Sequence, residues 1–419
     1  MFAPEARYEI RQSNERPTGN EGLKTVFLTG GTGFVGSHTA QRFLADDWRV
    51  KALVRDPARL GRLPTGAELV QGDLLSCEKY APALQGVDAI VHVAGLVKAL
   101  DLEAYRAVNS RGAETVAMTA ARTCPEAMFV LVSSQAAAGP ARDGLPVSET
   151  DAPRPVSWYG QSKLEGEEAV ARAFPGPWCV IRPSVVYGRG DAGLLEMFRV
   201  VQKGFAPILA GGRRRLQLIA VEDLARMLVA AASRRDLAGR RGFAAADVVS
   251  MGDLARKIAE MRSPPARSIP VPAIAIQAAG LLESIRQWIT RQPRPFNRDK
   301  AREILQNDWL CDARPMLRDL LGIESRITDG AVQAGQEVSS GALPAPLTGS
   351  GQALSTGSGQ APSTGSGRHG PPTVAEQSPW KGSGHEPAAP LLTPWKEGLR
   401  ELCRCYVRDQ WLRQNIWAV

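Results

Sequence analysis

The apolar segment Lys24-Thr25-Val26-Phe27-Leu28-Thr29 runs directly into Gly30-Gly31-Thr32-Gly33-Phe34-Val35-Gly36, and Ser37 to Ala45 is helix-compatible. The order strand, glycine turn, helix constrains this chain more than any other feature. Glycine spacing of this kind serves a tight turn whose backbone must approach a ligand closely, with the helix N-terminus facing negative charge. Thr29-Gly30-x-x-Gly33-x-x-Gly36 therefore reads as a pyrophosphate turn, with Phe34 and Val35 inside it. An ordinary structural glycine turn is the alternative.

The rhythm continues downstream. Arg49 to Val54, Leu69 to Gln71, Ala89 to Val93, Met128 to Val132 and Trp178 to Ile181 are short strand candidates. Cys77 to Leu84, Tyr105 to Thr123 and Gly160 to Ala173 are the helices between them. Such alternation predicts an α/β fold, a Rossmann-type parallel sheet flanked by helices. Beyond Pro183, helices at Leu194 to Lys203, Val221 to Ser233 and Met251 to Met261 mix with strands at Leu216 to Ile219 and Gly242 to Ala244. That change of rhythm predicts a smaller mixed α/β substrate lobe. The expected organisation is an N-terminal extension (1–22), a dinucleotide-binding core (23–183), and a substrate-binding lobe with return elements to the sheet (184–327). A linker (328–392) and a C-terminal helix packing on the core (393–419) complete it.

The linker is rich in Gly, Ser, Thr, Pro and Ala and carries an eight-residue repeat beginning at Thr348, Thr356 and Thr364. Such residues bury too little apolar area to offset their ordering entropy, so disorder is expected. After it, Trp395, Leu399, Leu402 and Tyr406 return at helical spacing.

The formal charge of +8 comes from scattered arginines, which fits a solvated surface better than specific nucleic-acid readout. Six cysteines show no metal-site spacing, and Cys403-x-Cys405 differs from a zinc half-site, so no metal is expected. Ile269 to Leu282 is apolar-rich but short of the roughly 20 residues that span a bilayer. Without a signal-peptide-like apolar run at the N-terminus, a cytoplasmic protein is the expectation.

At the end of the second strand stand Arg55 and Asp56. A guanidinium at Arg55 suits the 2′-phosphate of NADP, so NADP is preferred here, with NAD as the open alternative because Asp56 adjoins it. Asp73 and Leu74 come after another strand and would approach the adenine; an ordinary helix cap explains Asp73 equally well.

Tyr159-x-x-x-Lys163 places a phenol and an ammonium on one helix face. A nearby cation favours the phenolate, which suits proton exchange with a hydroxyl or carbonyl. Ser134, after the Met128 to Val132 strand, would hydrogen-bond the substrate oxygen. An isolated spacing of this kind is more often an ordinary amphipathic helix, and it gains meaning from the glycine turn upstream.

Taken together, Thr29-Gly30-x-x-Gly33-x-x-Gly36, Asp73-Leu74, His92-x-Ala94, Asn109, Ser133-Ser134, Tyr159-x-x-x-Lys163 and Arg182-Pro183-Ser184-x-Val186-Tyr187-Gly188 closely resemble the extended branch of the short-chain dehydrogenase/reductase family. The likeness covers roughly residues 24–327 and resumes near 392–413, in the branch of NAD-dependent epimerases/dehydratases and steroid dehydrogenase-like enzymes. It implies that Ser134, Tyr159 and Lys163 are catalytic and that Tyr159 and Lys163 also meet the cofactor. It further implies that Gly30, Gly33 and Gly36 hold the pyrophosphate, that Asp73 and Leu74 lie by the adenine, Ala94 near a ribose and Pro183 beside the nicotinamide. Asn109 and His92 are implied to be scaffold. Gln135-Ala136-Ala137-Ala138 and Arg55 depart from the sugar-epimerase form.

Three readings are open. The first is an NAD(P)-dependent oxidoreductase interconverting a ketone and a secondary alcohol, with Tyr159 as acid/base. The second is a nucleotide-sugar epimerase or dehydratase with bound NAD, for which Arg182, Arg189 and Arg213 to Arg215 would hold a diphosphate. The third is a cofactor-binding interaction protein without turnover. The expected partner is a small-molecule substrate, with a homodimer as an open oligomeric state.

Overall fold

The computed structural model describes residues 22–323, 392–412 and 416–417. The expected extension 1–22 and linker 328–392 fall almost wholly outside the described residues. Six parallel strands form the first part of the chain: β1 (Thr25–Thr29), β2 (Arg49–Val54), β3 (Glu68–Gln71), β4 (Ala89–His92), β5 (Met128–Val132) and β6 (Trp178–Pro183). Between them run α1 (Phe34–Ala45), α2 (Cys77–Tyr80), α3 (Leu102–Asn109), α4 (Arg111–Thr123), α5 (Gln135–Ala138) and α6 (Trp158–Ala173). The expected helix from Cys77 to Leu84 tightens into a 3-10 turn at Ala81–Leu84, where Pro82 cannot donate to the helical ladder.

The expected helix from Tyr105 to Thr123 is two helices. Ser110, at φ −105° and ψ −66°, separates them. The break places the buried Asn109 side chain against Leu96 and Ser162 rather than along a continuous helix.

The second part supplies β7 (Val185–Tyr187), α7 (Gly193–Gln202), β8 (Phe205–Leu209), β9 (Arg215–Ala220), α8 (Val221–Ala231), β10 (Arg241–Ala244), β11 (Val248–Ser250) and α9 (Met251–Glu260). It continues through β12 (Arg267–Val271), α10 (Ala273–Thr290), α11 (Arg298–Ile304) and α12 (Arg314–Leu321), and α13 (Trp395–Arg408) closes the described chain.

Strand β10 returns to the large sheet beside β6, giving the seven-stranded order β10-β6-β5-β4-β1-β2-β3. All its pairings are parallel. The chain leaves β1 toward β2 and β3, then crosses to β4 on the other side. That reversal opens a crevice beyond the strand ends, where ligands bind in open α/β sheets. Side chains alternate between two cores. Val26 and Leu28 of β1 face the cluster that includes α8 and α12, while Phe27 faces the one that includes α4 and α6.

A third core joins α7 and α9 to α13 through Phe198, Leu254, Leu399, Leu402 and Tyr406. Tyr406 stacks on Trp411, meets the edge of Phe198 and donates its hydroxyl to the Asp191 carbonyl at 2.6 Å. Asp191 lines the crevice, so the C-terminal helix braces its rim. Truncating Tyr406 to alanine should lower stability by about 3–5 kcal/mol, the usual cost of emptying a buried aromatic site. Denaturant unfolding of the full chain checks this, and an unchanged midpoint would show that α13 contributes nothing to the core.

Candidate active site

The glycine turn shows what each missing Cβ permits. Gly30 has φ +73°, and a Cβ there would lie 2.6 Å from the Ala94 amide nitrogen. A Cβ on Gly36 would lie 2.1 Å from the Gly30 carbonyl oxygen. The turn is therefore wedged between β1 and β4 with no spare volume. No side chain caps α1, and its first turn holds no acidic residue, so its amide donors remain free to meet an anion.

The crevice has a volume of about 810 Å³. Gly30, Gly33, Phe34, Val35, Gly36, Arg55, Asp73, Leu74, Ala94, Ser134, Tyr159, Lys163 and Pro183 all line it. Residues from seven separate chain segments thus converge on one space. Asp73 uses its carboxylate to accept the Leu75 amide at 3.1 Å, so it also shapes its own turn.

Ser134 begins α5, and its Oγ accepts the Ala136 amide at 3.2 Å. With a lone pair committed to that amide, its own proton is available to an oxygen in the crevice. Tyr159 is half-buried, and burial pushes its phenol up to about 12; Ser134 pulls it down and Glu303 adds to the rise. Lys163 is buried and donates to the Val132 carbonyl at 2.6 Å. Burial lowers its ammonium to about 8, against a smaller opposing effect of Glu167.

Neighbours outside the motifs hold these groups. Glu167 continues the Tyr159, Lys163 face of α6 and forms a fully buried pair with Arg182, at 2.9 Å and 2.6 Å. Ser133 Oγ donates to the same carboxylate at 2.5 Å. At the other end, Asp299 accepts the Trp158 amide at 3.0 Å, and Glu303 accepts the Ser157 hydroxyl. These carboxylates from α11 complement the positive end of α6. The motifs did not reveal Glu167, Asp299 or Glu303. Glu167 carried a signal, four residues beyond Lys163 on a face already known to point inward.

Asn109 ties the crevice loop to α6. Its Oδ1 accepts the Leu96 amide at 2.7 Å and its Nδ2 donates to Ser162 Oγ at 2.9 Å. His92 lies behind the crevice, its Nδ1 2.9 Å from Thr29 Oγ1, with burial and Lys163 lowering it to about 3. It is a neutral strand-end imidazole.

The arginines expected to hold a diphosphate are occupied or elsewhere. Arg182 is paired within the core, Arg215 binds Asp308 at 2.6 Å and Arg189 faces Asp409 at 3.7 Å. Among the described residues, the cationic side chains lining the crevice are Arg55 and Lys163. The described residues contain no cluster of metal ligands.

Residues 26–242 match the model of the NAD dependent epimerase/dehydratase family. The chain belongs to this family. It is 34% identical over 294 residues to the ceramide reductase of Caulobacter vibrioides, covering 70% of this chain and 87% of that protein. Its fold resembles MoeE5 in complex with UDP-glucose and NAD (TM-score 0.58, 22% identity, 75% of this chain and 98% of that one). It also resembles the UDP-glucose 4-epimerase of Thermus thermophilus in complex with NAD (TM-score 0.52, 24% identity, 59% and 86%). The family member is an NAD-dependent enzyme of oxidoreductase/epimerase type acting on a small organic substrate.

The preference for NADP is corrected by these comparisons. The family is NAD dependent, and both similar structures hold NAD. Physically, Arg55 is exposed and shares its strand end with Asp56, whose carboxylate pairs with Arg59 at 3.4 Å. One solvated guanidinium beside a carboxylate is a poor phosphate pocket.

Replacing Glu167 with alanine should cost about 3–5 kcal/mol by leaving Arg182 buried without its partner. Glu167→Leu combined with Arg182→Met should recover most of that loss. Chemical denaturation separates the outcomes, and a single variant as stable as the parent would rule out the pair as a constraint on α6.

Proposed function

We propose that this enzyme moves a hydride between NAD and an oxygen-bearing carbon, interconverting a ketone and a secondary alcohol. Bound NAD supplies the hydride donor or acceptor. The glycine turn and the free amides of α1 suit its pyrophosphate, Asp73 and Leu74 its adenine, Ala94 its ribose, and Pro183 its nicotinamide. Ser184 Oγ, buried at the crevice without a partner among the described residues, supplies a further polar contact there.

Tyr159 exchanges the proton with the substrate oxygen, giving it during reduction and taking it during oxidation. Ser134 donates a hydrogen bond to that oxygen and holds it beside the phenol. Lys163, as an ammonium, stabilises the phenolate as it forms; in the free protein it donates to the Val132 carbonyl. Desolvation strengthens these interactions because fewer waters screen them.

The observation that carries the free-ketone reading is that none of the candidate diphosphate arginines lines the crevice, Arg182 and Arg215 being paired with Glu167 and Asp308. The likeness to a ceramide reductase supports a substrate with a long apolar portion. A second reading, epimerisation or dehydration of a nucleotide sugar with NAD retained, is supported by the UDP-sugar and NAD complexes among the similar structures. Taken alone, the comparisons lean toward that second reading; the lining of the crevice leans toward the first.

Tyr159→Phe should retain NAD binding and lose turnover by about 10²–10⁴-fold, the usual contribution of a positioned acid/base. Gly30→Ala should act at the binding step instead, weakening NAD by about tenfold or more, about 1.4 kcal/mol, because a Cβ 2.6 Å from the Ala94 amide nitrogen displaces the turn from the pyrophosphate. Fluorescence titration with NAD and steady-state assays on ketone-bearing lipids measure both. Undiminished turnover in Tyr159→Phe would remove Tyr159 from the chemistry.

A further inference from the structure

Among the described residues, helix α10 is held firmly on one side and bare on the other. Its inner face carries Ile276, Gly280 and Gln287, all buried. A Cβ on Gly280 would lie 2.7 Å from the Ala301 Cβ, so α10 presses closely on α11. Gln287 Nε2 donates to the Leu100 carbonyl at 2.8 Å, and Ser284 Oγ accepts the Arg298 amide at 2.8 Å.

The outer face carries Ile274, Leu281, Leu282, Ile285, Trp288 and Ile289, with exposures from 47% to 71%. At helical pitch these six fall within about 120° of arc, opposite the buried residues. Soluble surfaces seldom leave such a stripe contiguous and uncovered. No helix among the described residues is long and apolar enough to cross a membrane, and α10 also contains Glu283 and Arg286.

Charge surrounds the stripe. Residues 267–302 hold seven basic and two acidic residues. Arg267, Arg291 and Arg298 are exposed and have no carboxylate partner among the described residues. A helix with an apolar face, a tryptophan on that face and cations at its margins is built for the boundary between headgroups and acyl chains. We propose that the outer face of α10 docks this enzyme on an anionic lipid bilayer.

The other occupants fit less well. A second copy seated symmetrically on this face would bring two arginine collars together. Residues 328–392 are too rich in Gly, Ser and Pro, and too poor in large apolar side chains, to cover six such residues.

Docking here also has a geometric consequence. A cavity of about 440 Å³ opens on the flank of α10, where Leu281 and Trp288 at the edge of the stripe meet Leu100, Trp158 and Asp299. Trp158 adjoins Tyr159, and Asp299 holds the Trp158 amide. The bilayer would therefore lie against the helix pair that supports the catalytic end of α6. The inference goes beyond the reaction and holds whether the substrate is a lipid ketone or a sugar nucleotide.

The test is flotation of the full chain with vesicles of phosphatidylglycerol mixed with phosphatidylcholine, and with phosphatidylcholine alone. The chain should float with the anionic vesicles and much less with the neutral ones or at high salt. Leu282→Glu with Ile289→Glu should abolish flotation while NAD binding and melting temperature stay at parent values. Arg291→Gln with Arg298→Gln, which leaves the apolar stripe intact, should weaken partitioning by roughly fivefold per arginine, from about 1 kcal/mol each near an anionic surface. Failure of the parent to float, equal flotation of either variant, or a solution dimer that the Leu282, Ile289 variant dissociates would each overturn the proposal.

Discussion

The buried pair between Arg182 and Glu167 is the interaction on which the site depends. Both side chains are essentially fully buried, and two hydrogen bonds join them. Ions buried this deeply carry a desolvation cost of several kcal/mol each, so the pair persists only because its hydrogen bonds are well satisfied. Glu167 takes Ser133 as a further donor, and Arg241 approaches at 3.5 Å. Strands β6 and β10 and the residue that follows β5 thereby hold one residue of α6. Because Tyr159, Lys163 and Glu167 recur every four residues, fixing the third directs the first two into the crevice.

The opposite end of α6 is fixed by different chemistry. Asp299 and Glu303 reach across from α11 to the helix N-terminus, and Asn109 joins the Leu96 loop to Ser162. The helix is thus pinned at both ends and along one side. Its polar groups titrate accordingly: burial raises the Tyr159 phenol and lowers the Lys163 ammonium. Burial thus keeps the Tyr159 phenol in its proton-bearing form and eases proton loss from the Lys163 ammonium.

The sheet and the crevice were legible in the sequence because their signals are local. Short valine-bearing apolar segments gave the bounds of β2 and β5, and the glycine turn could serve little else once it stood between a strand and a helix. The break at Ser110 was hidden because Tyr105 to Thr123 keeps helical periodicity throughout, and only the tertiary bonds of Asn109 part it. Arg182 looked like an anion ligand because an arginine's partner cannot be seen along the chain. Arg55 misled for the same reason: a guanidinium selects a phosphate only in a pocket, and here it stands in solvent beside Asp56. Ile269 to Leu282 was legible as apolar but not as a strand leading into a helix, since Pro272 marks a boundary and leaves the conformation on either side of it open.

The central claim is that the Tyr159 face of α6 serves net hydride transfer with NAD. It is tested most directly by incubating the enzyme with NADH deuterated at the transferring position and a ketone-bearing, ceramide-like lipid, then weighing the products. The account predicts one deuterium on the new carbinol carbon and release of unlabelled NAD. A lipid recovered without deuterium, with label retained on tightly bound cofactor while a nucleotide sugar is epimerised, would contradict it.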